Sequence, residues 1–487
     1  MTTPTLPPGG LLIGDRLLED ASGGTIEHVN PATGKPQATL ALAGGAEVDQ
    51  AVTAAREGAR AWRALPAAAR REALDRLTAL VKEHGEEFAA IGALESGMPV
   101  FTGGGLELAT EWMRYYTGWA DKAEGQVVSI PAGGLDYVLP EPYGVVAVII
   151  PWNSPLVAIS MTVFPALAAG NAVVLKPPEL APFAAVRFGR LALEAGLPPG
   201  ALTVIPGGPE AGDALVRHPG VDKVSFTGGG ATAQKVMRAA SATTKPLMLE
   251  LGGKSANIIF PDADLDAAVP MAAQLALVVN AGQGCCLPTR LLVHDDVYDE
   301  ATGRLIAVTE HFRLGDPLEP TTVIGPVISG AACRRILGVA ERAVTEKQGT
   351  LLIGGGRAGG PLADGFFVEP TIFGDVDHAS SLAQEEIFGP VLAVSRFSTE
   401  EQAIEMANGT SYGLMAYLQT GDLARAHRVA SRLEAGNVSV NGFYGMAPGA
   451  PFGGVKASGF GRTGGRAGLE EFLRPKNVFV HVPPAAS

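Results

Sequence analysis

At 487 residues the chain exceeds the roughly 250–300 residues over which one hydrophobic core grows, so two or three domains are expected. Its 47% apolar and 18% charged residues exclude a disordered chain, and a formal charge of −13 without a Lys/Arg-rich run excludes a surface that gathers nucleic-acid phosphates. Three cysteines, Cys285, Cys286 and Cys333, are too few and odd in number for a disulfide framework, and Met1 to Asp20 hold no basic segment leading into an apolar run. Gly, Pro or charged residues interrupt every later apolar stretch before about 18 residues, so the expectation is a cytoplasmic protein without a membrane segment.

From Ala46 to Ala93, apolar residues such as Val48, Ala51, Val52, Ala55 and then Leu74, Leu77, Leu80, Val81 recur at helical spacing, which predicts two amphipathic helices. After Tyr143-Gly144 the texture changes to short β-branched runs, each followed by a turn and a helical segment. Strands are expected at Val145 to Ile150, Ala172 to Leu175, Leu202 to Ile205 and Val224 to Phe226, with helices near Leu156 to Ala169, Pro182 to Ala195 and Gly212 to Arg217. Such alternation predicts a doubly wound parallel sheet, whose ligands sit beyond the carboxyl ends of the strands. Those ends read Pro151-Trp152-Asn153, Lys176-Pro177-Pro178-Glu179, Pro206-Gly207-Gly208 and Thr227-Gly228-Gly229.

A second α/β unit is expected from Leu251 onward, with a strand at Ala256 to Phe260, a helix at Leu265 to Asn280 and a strand at Leu291 to His294. Gly125 to Leu139 alternates like a hairpin around Ala132-Gly133-Gly134, and Phe472 to Val482 has strand character; both suit an oligomer interface.

Two segments carry chemistry. Asn280-Ala281-Gly282-Gln283-Gly284-Cys285-Cys286 places thiols after a glycine-bracketed break at the end of an apolar helix, although a free cysteine is more often a small buried hydrophobe than a nucleophile. Leu249-Glu250-Leu251-Gly252-Gly253-Lys254 sets a carboxylate between leucines, which is costly unless the charge has a task or a partner; the bland alternative is a strand-end Glu satisfied by solvent or by Lys254.

With these segments the chain resembles the aldehyde dehydrogenase superfamily, of the NAD(P)-linked hydrolytic kind, nearly end to end. The resemblance also rests on Arg114-Tyr115-Tyr116 with Gly118-Trp119-Ala120-Asp121-Lys122, on Pro151-Trp152-Asn153, Lys176-Pro177-Pro178-Glu179 and Phe226-Thr227-Gly228. Further along it rests on Glu385-Glu386-Ile387-Phe388-Gly389-Pro390 and on Pro451-Phe452-Gly453-Gly454-Val455-Lys456 with Ser458-Gly459.

The resemblance implies that Cys285 attacks an aldehyde carbonyl, that Asn153 and the Cys285 backbone N–H stabilise the oxyanion, and that Glu250 activates the water that hydrolyses the thioester. It implies NAD as cofactor, with Lys176 and Glu179 at the adenosine ribose and Glu386 and Phe388 at the nicotinamide ribose and ring. An acidic Glu179 favours a free 2′-hydroxyl, while Lys176 beside it leaves NADP open. Pro151, Trp152, Gly208, Phe226, Thr227, Gly228, Gly229 and Leu251 complete the implied cofactor groove. Ser154, Val157, Met161, Gly284, Cys286, Met446 and Phe452 are the implied substrate tunnel. No cation is among them, which predicts a neutral apolar or aromatic aldehyde rather than a semialdehyde with a distal carboxylate.

The implied architecture is a Rossmann-like cofactor domain (1–124 and 140–250), an α/β catalytic domain (251–437), and a small β oligomerisation element (125–139 and 468–487), with 438–467 linking back across the active site. A homodimer or homotetramer is implied, and no metal. Departures from the family pattern are Gly229 with Ala233, where a hydroxyl contact to phosphate is missing, and Leu287-Pro288 after the cysteines. Rival readings are a coenzyme-A-acylating enzyme, against which Glu250 speaks, and a retired structural or binding homologue, against which the joint presence of Cys285, Asn153 and Glu250 speaks. A thiol hydrolase is weaker still, because none of the eight histidines stands in a recognisable motif.

Overall fold

The computed structural model describes residues 4–131, 133–443 and 446–481; Ala132, Val482 and the last residues of the expected C-terminal element lie outside them. Its central feature is an eight-stranded sheet with a parallel core. In spatial order that core is Leu247–Glu250, Lys223–Thr227, Val145–Ile149, Ala172–Lys176 and Leu202–Val204. Antiparallel strands flank it: Gly459–Phe460 beside Leu247–Glu250, and Leu11–Ile13 with Arg16–Leu18 beyond Leu202–Val204.

The expected strands are present with ends moved by a residue or two: Ile150 and Ile205 fall outside, Lys176 falls inside, and the fourth strand gains Lys223 and Thr227. Both faces are covered. Val146, Val148, Val173 and Leu175 pack into one core and Val145, Ala147, Ala172 and Val174 into the other, so the strands read as continuous apolar runs rather than alternating ones. The third crossover helix begins earlier than expected, at Pro209, whose fixed φ and missing N–H suit a first helical position.

The N-terminal region holds three helices rather than the two expected: Gly45–Ala64, Ala67–Glu83 and Gly85–Ser96. Leu65 is extended because it precedes Pro66, and the non-helical His84 makes a second break that apolar periodicity conceals. An N-terminal hairpin, Thr25–Asn30 with Lys35–Ala41, was also not foreseen.

The second unit is a seven-stranded sheet, Thr350–Ile353, Thr371–Gly374, Val391–Phe397, Arg290–His294, Ala256–Ile259, Met415–Gln419 and Asn437–Val440, parallel except for the first strand. The helix expected over Leu265 to Asn280 ends at Ala273. A wide turn over Gln274–Val278 follows, and then Asn280 and Ala281 adopt left-handed φ of 49° and 50°. Leu265–Gly282 is apolar and long enough to span a membrane by length and composition, yet Asp266 and Pro270 interrupt the run as expected; it is broken at these turns, and 61% of it is buried.

The hairpin and the tail strand meet as expected. Gln126–Val128, Gly134–Pro142 and Leu473–His481 form one antiparallel sheet, with Leu473 opposite Pro142 and His481 opposite Gly134.

Candidate active site

Strand register builds the site. Phe226 pairs with Ile149, Ile149 with Lys176 and Thr227 with Glu250, so the four strand ends finish along one edge of the sheet. The strand order reverses between Val145–Ile149 and Lys223–Thr227, and at such a switch point the diverging crossover connections leave a crevice. Pro151 to Asn153 leave one of those strands and Thr227 to Gly229 the other.

A cavity of about 610 Å³ opens there, lined by Asn153, Glu250 and Cys285 together. Pro151, Trp152, Thr227, Gly228, Gly229, Leu251, Glu386 and Phe388 line it as expected, and so do the tunnel candidates Ser154, Val157, Met161, Gly284, Cys286, Met446 and Phe452. Four expected residues are not in the lining. Lys176 ends its strand as a buried amine near the start of helix Pro209–Arg217, which Gly208 caps; burial lowers its pKa, and the half-buried Glu179 is close enough to oppose that fall. Phe226 is buried beneath the turn, where a Cβ on Gly228 would meet its ring at 2.7 Å. It supports the groove rather than walling it.

The thiol loop and the Asn153 turn interlock. Asn153 Nδ2 donates to the Gln283 carbonyl at 3.0 Å, and Asn280 Nδ2 returns a bond to the Asn153 carbonyl at 3.0 Å. Gln283, buried, clamps the loop further, donating to the Asn280 carbonyl and accepting from Ile328 N–H, each at 2.9 Å. Sequence reasoning missed Gln283; its place two residues before the thiol was the available signal. It also missed Met98, Phe101 and Leu108, cavity residues from a distant helical segment.

The charges are tuned by burial. The Cys286 side chain beside it and desolvation push the Cys285 thiol well above its ordinary range, and Glu386 and Glu250 add to the rise. Burial pushes Glu250 well above the carboxylate range, Arg462 opposing and Glu471 assisting, and neither carboxylate oxygen has a hydrogen-bond partner among the described residues. Glu386 is also raised by burial, offset by the Gly253 N–H at 3.0 Å from Oε1, by Lys254 and by Arg335. A Cβ at Gly252 would lie 2.1 Å from Glu386 Oε2, so any side chain there pushes this carboxylate aside. Phe388 has a positive φ of 53° and sets its ring edge-on to Trp152, centroids 5.3 Å apart.

The two family departures find physical places. A side chain at Gly229 or Gly230 would meet nothing within 4 Å, so the start of helix Gly230–Ser241 is an open cradle of backbone N–H groups, suited to an anion. Lys176, driven down to about 8 by burial, adds a poised amine to the same sheet edge, and together these donors fit a dinucleotide. Leu287 folds back under the thiol loop, where a Cβ on Gly284 would meet it at 2.8 Å.

An α/β chain with a thiol, an amide donor and a buried carboxylate converging at a switch-point crevice has the arrangement of an enzyme site with a candidate thiol nucleophile. Residues 18–478 match the family model described as the aldehyde dehydrogenase family, and the chain belongs to that family. It is 40% identical over 480 residues to an aldehyde dehydrogenase of Enchytraeus buchholzi, covering 97% of this chain and 96% of that protein. The structure of PnpE in complex with nicotinamide adenine dinucleotide superposes with a TM-score of 0.96 at 40% identity, covering 99% of both chains. An NAD+ complex of a Bacillus cereus aldehyde dehydrogenase superposes with a TM-score of 0.94 at 38% identity, covering 99% and 97%.

Proposed function

We propose that the protein oxidises a neutral apolar or aromatic aldehyde to a carboxylic acid with NAD+, through Cys285, Asn153 and Glu250. The observation that carries this is the convergence of the three side chains on one cavity beside an open, N–H-rich groove.

Cys285, once deprotonated, attacks the aldehyde carbon and forms a carbon–sulfur bond, and the carbonyl oxygen takes the negative charge. With one Asn153 N–H held by Gln283, the other is free to donate to that oxygen beside the Cys285 N–H. NAD+, held at its nicotinamide end by Glu386 and Phe388, would supply the hydride acceptor for oxidation of the hemithioacetal to a thioester. Glu250 then takes a proton from water, the hydroxide adds to the thioester carbon, and the C–S bond breaks to release acid and restore the cysteine. Its raised pKa suits it to accept a proton near neutral pH. Glu386 and Phe388 orient the nicotinamide end, and Lys176 with Glu179 the adenosine ribose, with NADP a weaker alternative.

The substrate reading rests on the lining. Among the described residues it holds no Lys, Arg or His, and its walls are Met98, Leu108, Val157, Met161, Met446 and Phe452. A distal carboxylate buried there would lack a counter-charge. In this reading 1–124 with 140–250 bind cofactor, 251–437 form the catalytic domain and 438–467 cross back over the site. The sheet of 125–139 and the C-terminal strand, which exposes Val127, Phe479 and Val480, joins copies into a dimer or tetramer. Three free cysteines fit a reducing, cytoplasmic setting.

The test is kcat/KM with NAD+ and NADP for hexanal, benzaldehyde and succinic semialdehyde. Preference for hexanal or benzaldehyde with NAD+ is expected; preference for the semialdehyde refutes the substrate reading, and no oxidation of any aldehyde refutes the activity.

A further inference from the structure

Trp112 is not in the cavity lining, yet it holds one wall of it. Helix Leu106–Thr117 buries this indole completely, and a buried indole N–H needs an acceptor. The acceptor comes from far along the chain: Nε1 donates to the Met446 carbonyl at 2.8 Å.

Met446 lies on the segment that returns from the second sheet to the first, and that segment is fixed on either side. Upstream, Asn441 N–H donates to the Leu418 carbonyl at 2.8 Å, and its side chain exchanges bonds with the Thr420 backbone at 2.9 and 2.8 Å. Downstream, Gly465 N–H donates to the Pro448 carbonyl at 2.7 Å, and Phe452 and Thr463 exchange backbone bonds at 2.6 and 2.8 Å. Between these fixed points, Trp112 ties the Met446 backbone.

The same helix contributes Leu108 to the cavity, while Met446 and Phe443 line it from the return segment. One rigid element therefore carries one wall and anchors another. The indole cannot shift far to follow the segment, because the Gly464 backbone sits against it: a Cβ there would lie 3.0 Å from the Trp112 ring.

We propose that Trp112 is a positioning residue for substrate selection: its bond to the Met446 carbonyl fixes the width of the tunnel between the return segment and helix Leu106–Thr117, and so decides which aldehydes reach Cys285. The inference rests on the reading of this cavity as an aldehyde tunnel. Loss of the bond frees the Met446 backbone without removing a group that touches the reacting atoms, so affinity for aldehydes that fill the tunnel changes while the chemical step on small ones persists.

The experiment compares the full-length wild type with Trp112→Phe, and with benzothienylalanine at position 112, which keeps the bicyclic shape and lacks the N–H. KM for benzaldehyde is expected to rise about tenfold, with kcat for propanal within about twofold of wild type. Hydrogen exchange at the amides of Met446, Ala447, Gly449 and Ala450 is expected to accelerate in both variants, a readout independent of turnover. Unchanged exchange, or an unchanged benzaldehyde-to-propanal KM ratio in the isosteric variant, overturns the proposal. Failure of the wild type to oxidise any aldehyde instead removes the functional reading, while the exchange measurement still reports on the tether.

Discussion

The Asn153 side-chain amide spends one N–H on the carbonyl of Gln283, two residues before Cys285. The bond couples the turn after strand Val145–Ile149 to the loop that carries the thiol, so the proposed oxyanion donor and nucleophile are positioned by one contact. Asn153→Ala removes both the donor and the coupling. A fall in kcat of roughly 10²–10³-fold is expected, with a smaller change in KM, in steady-state assays with hexanal.

Glu250 has a different role in the proposed cycle and should leave a different signature. Glu250→Gln is expected to form the acyl-enzyme and stall there, seen as a burst of reduced cofactor followed by slow turnover and as an acyl adduct on Cys285 by mass spectrometry. Cys285→Ser is expected to show neither burst nor turnover. Unimpaired steady-state turnover in Glu250→Gln removes this residue from the mechanism.

The raised Cys285 pKa gives a pH dependence of definite sign. The thiolate fraction grows as pH rises, so alkylation by iodoacetamide is expected to accelerate across the alkaline range rather than level off near neutrality. The largest cause of the rise is the Cys286 side chain. Cys286→Ala is therefore expected to move the alkylation profile to lower pH.

A side chain at Gly252 meets the Glu386 carboxylate. Gly252→Ala is expected to displace that carboxylate and break its bond to Gly253 N–H, raising KM for NAD+ about tenfold or more while the far-ultraviolet spectrum stays that of the wild type.

Glu95 offers a stability test away from the cavity. It is buried, caps helix Phe183–Glu194 through the Phe183 N–H at 2.7 Å, and burial raises its pKa to about 8. A carboxyl raised in the folded state stabilises most fully below its unfolded pKa, and that contribution is lost as pH climbs toward 8. The melting temperature of the wild type is expected to carry this downward slope between about pH 5 and 8, and Glu95→Gln is expected to lack it.

Much of the site was legible because parallel strands are short apolar runs whose ends carry the chemistry. Val145 to Ile149 and Lys223 to Thr227 announce themselves by β-branching; Thr227 ends the second, and Asn153 stands in the turn after the first. Gln283, Leu108 and Trp112 were not legible. Gln283 and Trp112 act through partners on other elements, Trp112 through Met446 at 334 residues' separation, and Leu108 reaches the cavity only through packing, and local periodicity records nothing about such pairings. The third N-terminal helix was hidden for a related reason: His84 breaks the backbone without breaking the apolar pattern.

By itself the sequence determined the doubly wound class, because alternating short-range patterns suffice for that, and it singled out Cys285, Glu250 and Asn153 through the family motifs in which they stand. Only the tertiary structure decided that the three share one cavity, that burial and neighbouring charge raise the thiol and the carboxyl together, and that a buried indole pins the Met446 backbone. Those outcomes depend on register, desolvation and close approach between segments distant in the chain, and these exist only once the sheets have packed.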